Sequence, residues 1–207
     1  MRVVVTGMGI VSPIGTGIDQ FWNAAVEGRS GINRIECFDA SGQHSQIAGE
    51  ISRFNPTSFL SIKQVEQTDR FTQLALYAAN LALEDAGALE AYAPRRRAVS
   101  LGSGMGGFST FESSAARKLQ NKSMPPFIVP RIMANSAAAW IATKHRLKGA
   151  HLTRLHCHHH DVAYRHDPSD HQSRRSGSGL RPRLYAQSRA PEKNTNRPMQ
   201  CIWVWRQ

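Results

Sequence analysis

RVVVTGMGIVSPIG, residues 2–15, opens with a β-branched run that Gly7, Gly9, Pro13 and Gly15 then break. An apolar, β-branched run bounded by Gly and Pro predicts a buried strand over residues 2–6. The glycines behind it allow the backbone to turn sharply, because glycine tolerates positive φ. Between residues 18 and 27 the apolar side chains fall at Ile18, Phe21, Trp22 and Ala25. That spacing is one face of a helix, and Gly28 is placed to stop it. Strand, glycine turn and helix predict an α/β layered domain.

Further along, residues 31–54 are polar and loop-like, with extended pieces near 47–51. Residues 68–87 give the clearest helix: Phe71, Leu74, Ala75, Ala78, Leu81 and Ala82 make one face, and Gly87 ends it. Asp69 falls in its first turn, where a carboxylate favours the positive end of the helix. A second strand is predicted over residues 98–101, entered through Arg95, Arg96 and Arg97, which read as a solvated strand entry rather than a nucleic-acid patch.

GSGMGG, residues 102–107, follows that strand and formally matches G-x-G-x-x-G, with a possible helix over residues 108–119 behind it. A dinucleotide fingerprint also wants an acidic residue ~20 positions on, to hold a ribose hydroxyl. None stands there. The plainer reading is a tight turn at which the backbone approaches a neighbouring layer closely. Pro125, Pro126 and Pro130 then punctuate a loop, and residues 132–147 predict a helix rich in small side chains, with Trp140 as its bulky member.

The chain has 207 residues, 41% of them hydrophobic, enough for a sizeable core. Its formal net charge of +11 is unevenly placed: residues 1–150 carry 16 basic and 11 acidic side chains, residues 151–207 carry 10 and 4. Seven of the nine histidines also lie after position 150. Cys37, Cys157 and Cys201 form no disulfide or metal framework by spacing. No run of about 18 apolar residues predicts a membrane span. Glycines interrupt the first apolar run and no cleavage site follows, so no signal peptide is expected, and cytoplasm is the default location. No cofactor, metal or membrane partner is expected.

From His151 onward the texture changes to His, Arg, Ser and Pro, with scattered apolar residues. Such a segment buries too little to offset its ordering entropy and is expected to be disordered. CIWVW, residues 201–205, reads as an isolated sticky patch rather than a core strand. The division expected is residues 1–150 as a partial α/β domain and 151–207 as a tail.

RVVVTGMGIVSPIG, DRFTQLALYAANLALEDAG, GSGMGG and PFIVPRIMANSAAAWIA…LKGA occur in one order with sensible spacing. Together they resemble the N-terminal part of a β-ketoacyl-acyl carrier protein synthase of the bacterial elongating type, over about residues 1–150. The resemblance implies the N-terminal half of a thiolase-like, five-layer αβαβα fold. It also implies a homodimer that works with acyl carrier protein. In that family a cysteine takes an acyl group as a thioester, and malonyl-carrier loses carbon dioxide. The carbanion then attacks the thioester, while two histidines and a lysine serve the developing charge. Met105 matches the place where the acyl chain meets the pocket wall.

The family continues after LKGA with a strand and a T-A-C-x-S elbow, whose cysteine belongs near position 158; here that position is His158, and Cys157 is one place off. Arg154 interrupts the one candidate strand before it, and no small-residue helix follows, so Cys157 is expected to be inert. The family's second half, with its histidines and lysine, is absent. The expectation is therefore a truncated, inactive fragment of a condensing enzyme in fatty-acid or polyketide synthesis. Alternatives are a non-catalytic dimerisation or binding module on the same fold, or a His/Arg-rich metal- or nucleic-acid-binding protein. For the last, residues 156–161 offer ligands but no ligand spacing, and Arg174, Arg175, Arg181 and Arg183 lack a scaffold, so nucleic acid is not the expected partner.

The change of texture points to an out-of-frame continuation. Translating the coding DNA in the other two frames beyond codon 150 is expected to uncover the missing strand and cysteine elbow; two frames with no such continuation would refute it.

Overall fold

The computed structural model describes residues 4–87, 89–155 and 201–204. Two short hairpins come first. Val11–Ser12 (β1) pairs antiparallel with Gly15–Thr16 (β2), and the Ser12 hydroxyl closes the turn by donating to the Gly15 carbonyl and accepting from its N–H. Ile32–Arg34 (β3) pairs antiparallel with Ile47–Gly49 (β4), where extended structure is expected. Between the hairpins runs Ile18–Val26 (α1), ended near Gly28, which takes a φ of 68°. The predicted apolar face of α1 is not the covered one. Ala24 is buried, while Trp22 is 64% exposed.

Ile62–Gln67 (α2) starts with a capping box between Ser61 and Gln64. Arg70–Ala86 (α3) is the central helix. Asp69 is its N-cap rather than a first-turn residue, and Gly87 ends it in the left-handed region with φ 61°. Phe71, Thr72, Gln73, Leu74, Leu76, Ala78, Ala79 and Ala82 are all buried, so α3 is enclosed on more than the one face its spacing predicts.

A strand over residues 98–101 is expected; the observed strand, Ala98–Ser103 (β5), is longer. Along it Val99, Leu101 and Ser103 are buried and Ser100 and Gly102 exposed, so among the described residues one face is covered. Phe108–Leu119 (α4) follows as predicted. The helix predicted over residues 132–147 is shorter, Ser136–Lys144 (α6), and a separate short helix, Ile128–Ile132 (α5), stands with Pro130 inside it where a proline-punctuated loop is expected. The break between them goes with a contact distant in sequence: the Ile132 carbonyl accepts from Gly107 N–H at 3.1 Å, outside the helix, and Ser136 N–H turns back to the Met133 carbonyl at 3.0 Å.

Beyond residue 150 the structure corrects two expectations. His151–Leu155 (β6) is a strand despite Arg154, parallel to β5 with Val99 opposite His151 and Ser103 opposite Leu155. Cys201–Val204 (β7) is also a strand, parallel to β5 on its other edge. Pairing is through main-chain groups that every non-proline residue carries, so a composition poor in apolar residues does not prevent it. The strand predicted over residues 2–6 is correspondingly not found among the described residues: Val4 and Val5 are 58% and 69% exposed and in no strand. Gly7 and Gly9 do not serve to turn the chain. They let it lie against α3, where a Cβ on Gly9 would stand 2.0 Å from the Ala78 carbonyl oxygen. Residues 156–161, with Cys157, and the arginines at 174, 175, 181 and 183 lie outside the described residues.

The core joins α3, α6 and β5: Leu60, Phe71, Leu76, Ala79, Val99, Leu101, Ala137, Ala138, Ile141 and Leu147. Fully burying a side chain such as Leu76 or Ile141 contributes about 1.5–3 kcal/mol. A smaller cluster sets Val11 against Leu74 and Ala78. His145, after α6, ties that helix to α3 through Nε2 and Asn80 Oδ1 at 3.0 Å.

Burial, and then the neighbouring Lys144 charge, hold the His145 imidazole below its ordinary value of 6.5. The unfolded chain therefore takes up this proton first as pH falls. The stability from neutral His145 is complete above about pH 6.5 and declines below it. The thermal midpoint is expected to drop between pH 7.5 and 5.5, and to drop less in His145→Asn; an identical drop in both chains would contradict this.

Candidate functional site

The parallel strands β5 and β6 finish side by side, at Ser103 and Leu155. Ligands of open α/β sheets gather at the C-terminal ends of the strands, so this end is where a site is sought. The segment there is Gly102–Gly107, and its geometry is built from short-range contacts. Gly106 N–H donates to Ser103 Oγ at 3.0 Å, and Gly106 takes a φ of 66°. Gly107 N–H donates to the Ile132 carbonyl at 3.1 Å. A Cβ on Gly107 would stand 2.2 Å from the Arg131 carbonyl oxygen. Two of the amides that a phosphate cradle would offer are thus committed within the protein, and the last glycines let α5 approach. The close-approach reading of GSGMGG holds and the dinucleotide reading does not.

The loop is anchored from below by a buried carboxylate. Asp69, 3% exposed, caps α3 by accepting from Phe71 N–H at 3.2 Å. Its other oxygen accepts from Thr110 N–H at 2.9 Å and from the Thr110 hydroxyl at 2.5 Å. Gly107, at the N-cap of α4, has no side chain to cap with. Asp69 reaches across from the neighbouring helix and supplies that acceptor, near the positive ends of both helices.

Met105 sits on this loop and is 66% exposed, with Phe108 and Phe111 exposed on α4 just beyond it. Their rings stand 6.2 Å apart. The surface beside the strand ends is therefore apolar and open among the described residues. Cys157 follows two residues after β6 and lies outside them.

Cys37 is exposed in a loop far along the chain from the strand ends. A hydrogen bond with the Glu50 carboxylate pushes its thiol above the ordinary value of 9.0, and the same contact lowers Glu50. A thiol held in its protonated form is a poor nucleophile at neutral pH. Nothing in the sequence spacing singles out Glu50 as this partner, because the contact is made by a loop returning over 13 residues.

A concavity of about 790 Å³ lies between α6 and β6. Ala138, Ala139 and Ala142 line it with Thr153, and Arg146, Lys148 and His151 place positive or titratable groups around it. Among the described residues no group of three His, Cys, Asp or Glu side chains is placed to hold a metal ion, and no helix is long and apolar enough to cross a membrane.

A family model described as the N-terminal domain of β-ketoacyl synthase matches residues 1–154. The 3-oxoacyl-[acyl-carrier-protein] synthase 2 of Coxiella burnetii (strain RSA 493 / Nine Mile phase I) is 38% identical over 156 residues, which is 73% of this chain and 37% of that protein. The solved ishigamide ketosynthase/chain length factor superposes with a TM-score of 0.66 at 29% identity, covering 73% of this chain and 39% of its own. A β-ketoacyl synthase from Burkholderia phymatum STM815 superposes with a TM-score of 0.60 at 25% identity, over 73% of this chain and 38% of its own. The described α/β layers are those of a thiolase-like ketosynthase N-terminal half, as expected, and the chain spans little more than a third of the length of these relatives.

The glycines of the loop differ in what surrounds them, and this is measurable. Gly107→Ala is expected to destabilise the chain by roughly 1–3 kcal/mol, through overpacking against α5. Gly102→Ala, whose Cβ would meet nothing within 4 Å, is expected to be near neutral. Urea denaturation of the two variants checks the difference; equal midpoints would argue against the close-approach reading.

Proposed function

This chain belongs to the β-ketoacyl synthase family through its N-terminal domain, and from that premise we propose that residues 1–155 supply one half of a site for decarboxylating condensation. The observation that carries this reading is the open, apolar Met105–Phe108–Phe111 surface at the shared C-terminal ends of β5 and β6. In the complete reaction a cysteine thiolate holds an acyl group as a thioester. Malonyl-carrier loses carbon dioxide, its carbanion forms the new carbon–carbon bond, and the carbon–sulfur bond to the cysteine breaks. Within that scheme Met105 meets the growing acyl chain, for which an unbranched, polarizable side chain is a yielding wall. Asp69 and the committed amides hold the loop so that the wall does not collapse. The reacting sulfur and its proton-handling partners belong to sequence outside the present α/β layers, and Cys157 does not act as that sulfur.

Two further features fit the reading. β5 leaves one face uncovered among the described residues, whereas parallel sheets are ordinarily packed on both. A second α/β half is the natural cover. β6 has one edge unpaired by any described strand, and the groove with α6 lies beside it. That edge is proposed as the seat of a second copy of the chain, and acyl carrier protein as the source of the acyl group.

The chain alone is expected to show no condensation. With an acyl thioester and a malonyl thioester it should release no carbon dioxide above background. Mass spectrometry should find no acyl adduct confined to Cys157 when it is compared with Cys37 and Cys201. Stoichiometric acylation at Cys157 alone would overturn the proposal. The same preparation in sedimentation analysis should contain dimer, and Ala139→Arg in the groove should shift it to monomer.

A further inference from the structure

Charge is distributed along this chain in blocks. Residues 91–155 carry 11 lysines and arginines against one acidic residue, Glu112, a net of +10 out of the chain's +11. Four of these cations are brought to one place, at the N-terminal ends of β5 and β6, the far end of those strands from Met105. Arg95 and Arg97 stand in the turn that enters β5, and Arg146 and Lys148 in the loop between α6 and β6.

The two turns are joined main chain to main chain. Lys148 N–H donates to the Pro94 carbonyl and Gly149 N–H to the Arg97 carbonyl, each at 2.8 Å. Val99 N–H donates to the Ala150 carbonyl at 3.1 Å. Gly149 permits the approach, since a Cβ there would stand 2.5 Å from the Arg97 carbonyl oxygen. The backbones that carry the four cations are thus held in contact.

Arg95, Arg146 and Lys148 are exposed and Arg97 is half-buried. Arg97 Nε donates to the Tyr92 carbonyl at 2.7 Å, which orients that guanidinium. Among the described residues the salt bridge is between Arg29 and Glu27, and none of these four cations has a carboxylate partner. The negative end of α6 favours Lys144, which also sits over the Phe59 ring at 5.1 Å. One helix end supplies about half an elementary charge, too little to offset four further cations in two touching turns.

We propose that these two turns form a site for an oligophosphate, a chain of linked phosphates either free or carried by a nucleotide. The planar fork of a guanidinium matches phosphate oxygens two at a time, and three of the four cations are arginines. A single carboxylate neutralises one cation. Linked phosphates place several negative charges on a ligand small enough to lie across two turns. Nucleic acid is read by an element that enters a groove or by a track that follows the backbone, and two short turns provide neither. The site is independent of the condensation reading, because it shares no residue with the Met105 surface.

Titration calorimetry of the full chain with inorganic tripolyphosphate tests this. Binding is expected, weakening as salt is added. The double variant Arg95→Glu, Lys148→Glu is expected to lose about tenfold or more in affinity, and Arg95→Gln, Lys148→Gln to lose less in the same direction. The control is Arg174→Glu, Arg175→Glu, which changes net charge by the same amount and is expected to bind as the parent does. A nucleoside triphosphate is the second arm. Affinity no higher than that of tripolyphosphate identifies the phosphate chain as the whole ligand, and higher affinity identifies the nucleotide; both support the site. No binding of tripolyphosphate, binding of duplex DNA alone, or equal losses in the control and in the Arg95, Lys148 variants overturns the proposal. Unchanged thermal midpoints in the glutamine variant exclude a folding defect as the cause of its loss.

Discussion

The described fold depends on a carboxylate placed where three donors need it. Asp69 is buried and accepts from the first turn of its own helix and from both the amide and the hydroxyl of Thr110 on α4. A buried carboxylate is costly unless it is fully hydrogen-bonded, and the first-turn amides of a helix are costly unless they find acceptors. Each deficit satisfies the other here. The starts of α3 and α4 are held together, and the glycine loop leading into α4 is held over the helix layer. The position of Met105, and of the apolar surface beside it, follows from that tie.

The glycine loop shows how a motif can be written in the sequence and still be misjudged by spacing. Residues 102–107 satisfy the letter pattern of a dinucleotide cradle. The pattern records where glycine is tolerated and not why it is needed. In the structure Gly106 and Gly107 meet the backbone of α5, and their amides already have acceptors. The missing acidic residue downstream was the sequence signal that favoured this outcome. The break between α5 and α6 is the other half of the same contact and carried no signal, because the Ile132 carbonyl is diverted by a residue 25 positions away.

The sheet has a comparable logic. Its three described strands are parallel, so each reaches the next by a long crossover and the order is decided by non-local pairing. β5 buries the Val99–Leu101–Ser103 side and leaves the other side open among the described residues. A chain that spans little more than a third of its ketosynthase relatives presents the layers that those relatives share with it, and an uncovered sheet face fits that span.

The sequence by itself determined the elements whose signals are local. Asp69 and Gly87 mark the ends of α3, the 3.6-residue spacing marks its body, and α4 and the start of β5 fall where they are expected. It also carried the family, because motifs in register survive without any knowledge of packing. Beyond β4 and β5, tertiary structure decided which segments become strands. The valine run predicted as a strand has the right side chains, yet its described residues 4–6 lie in no strand, while β6, interrupted by Arg154, and β7, isolated in a polar stretch, lie in the sheet. The physical reason is that a strand is completed by main-chain hydrogen bonds to a partner far along the chain, so its existence is settled by what reaches the open edge and not by the residues that compose it.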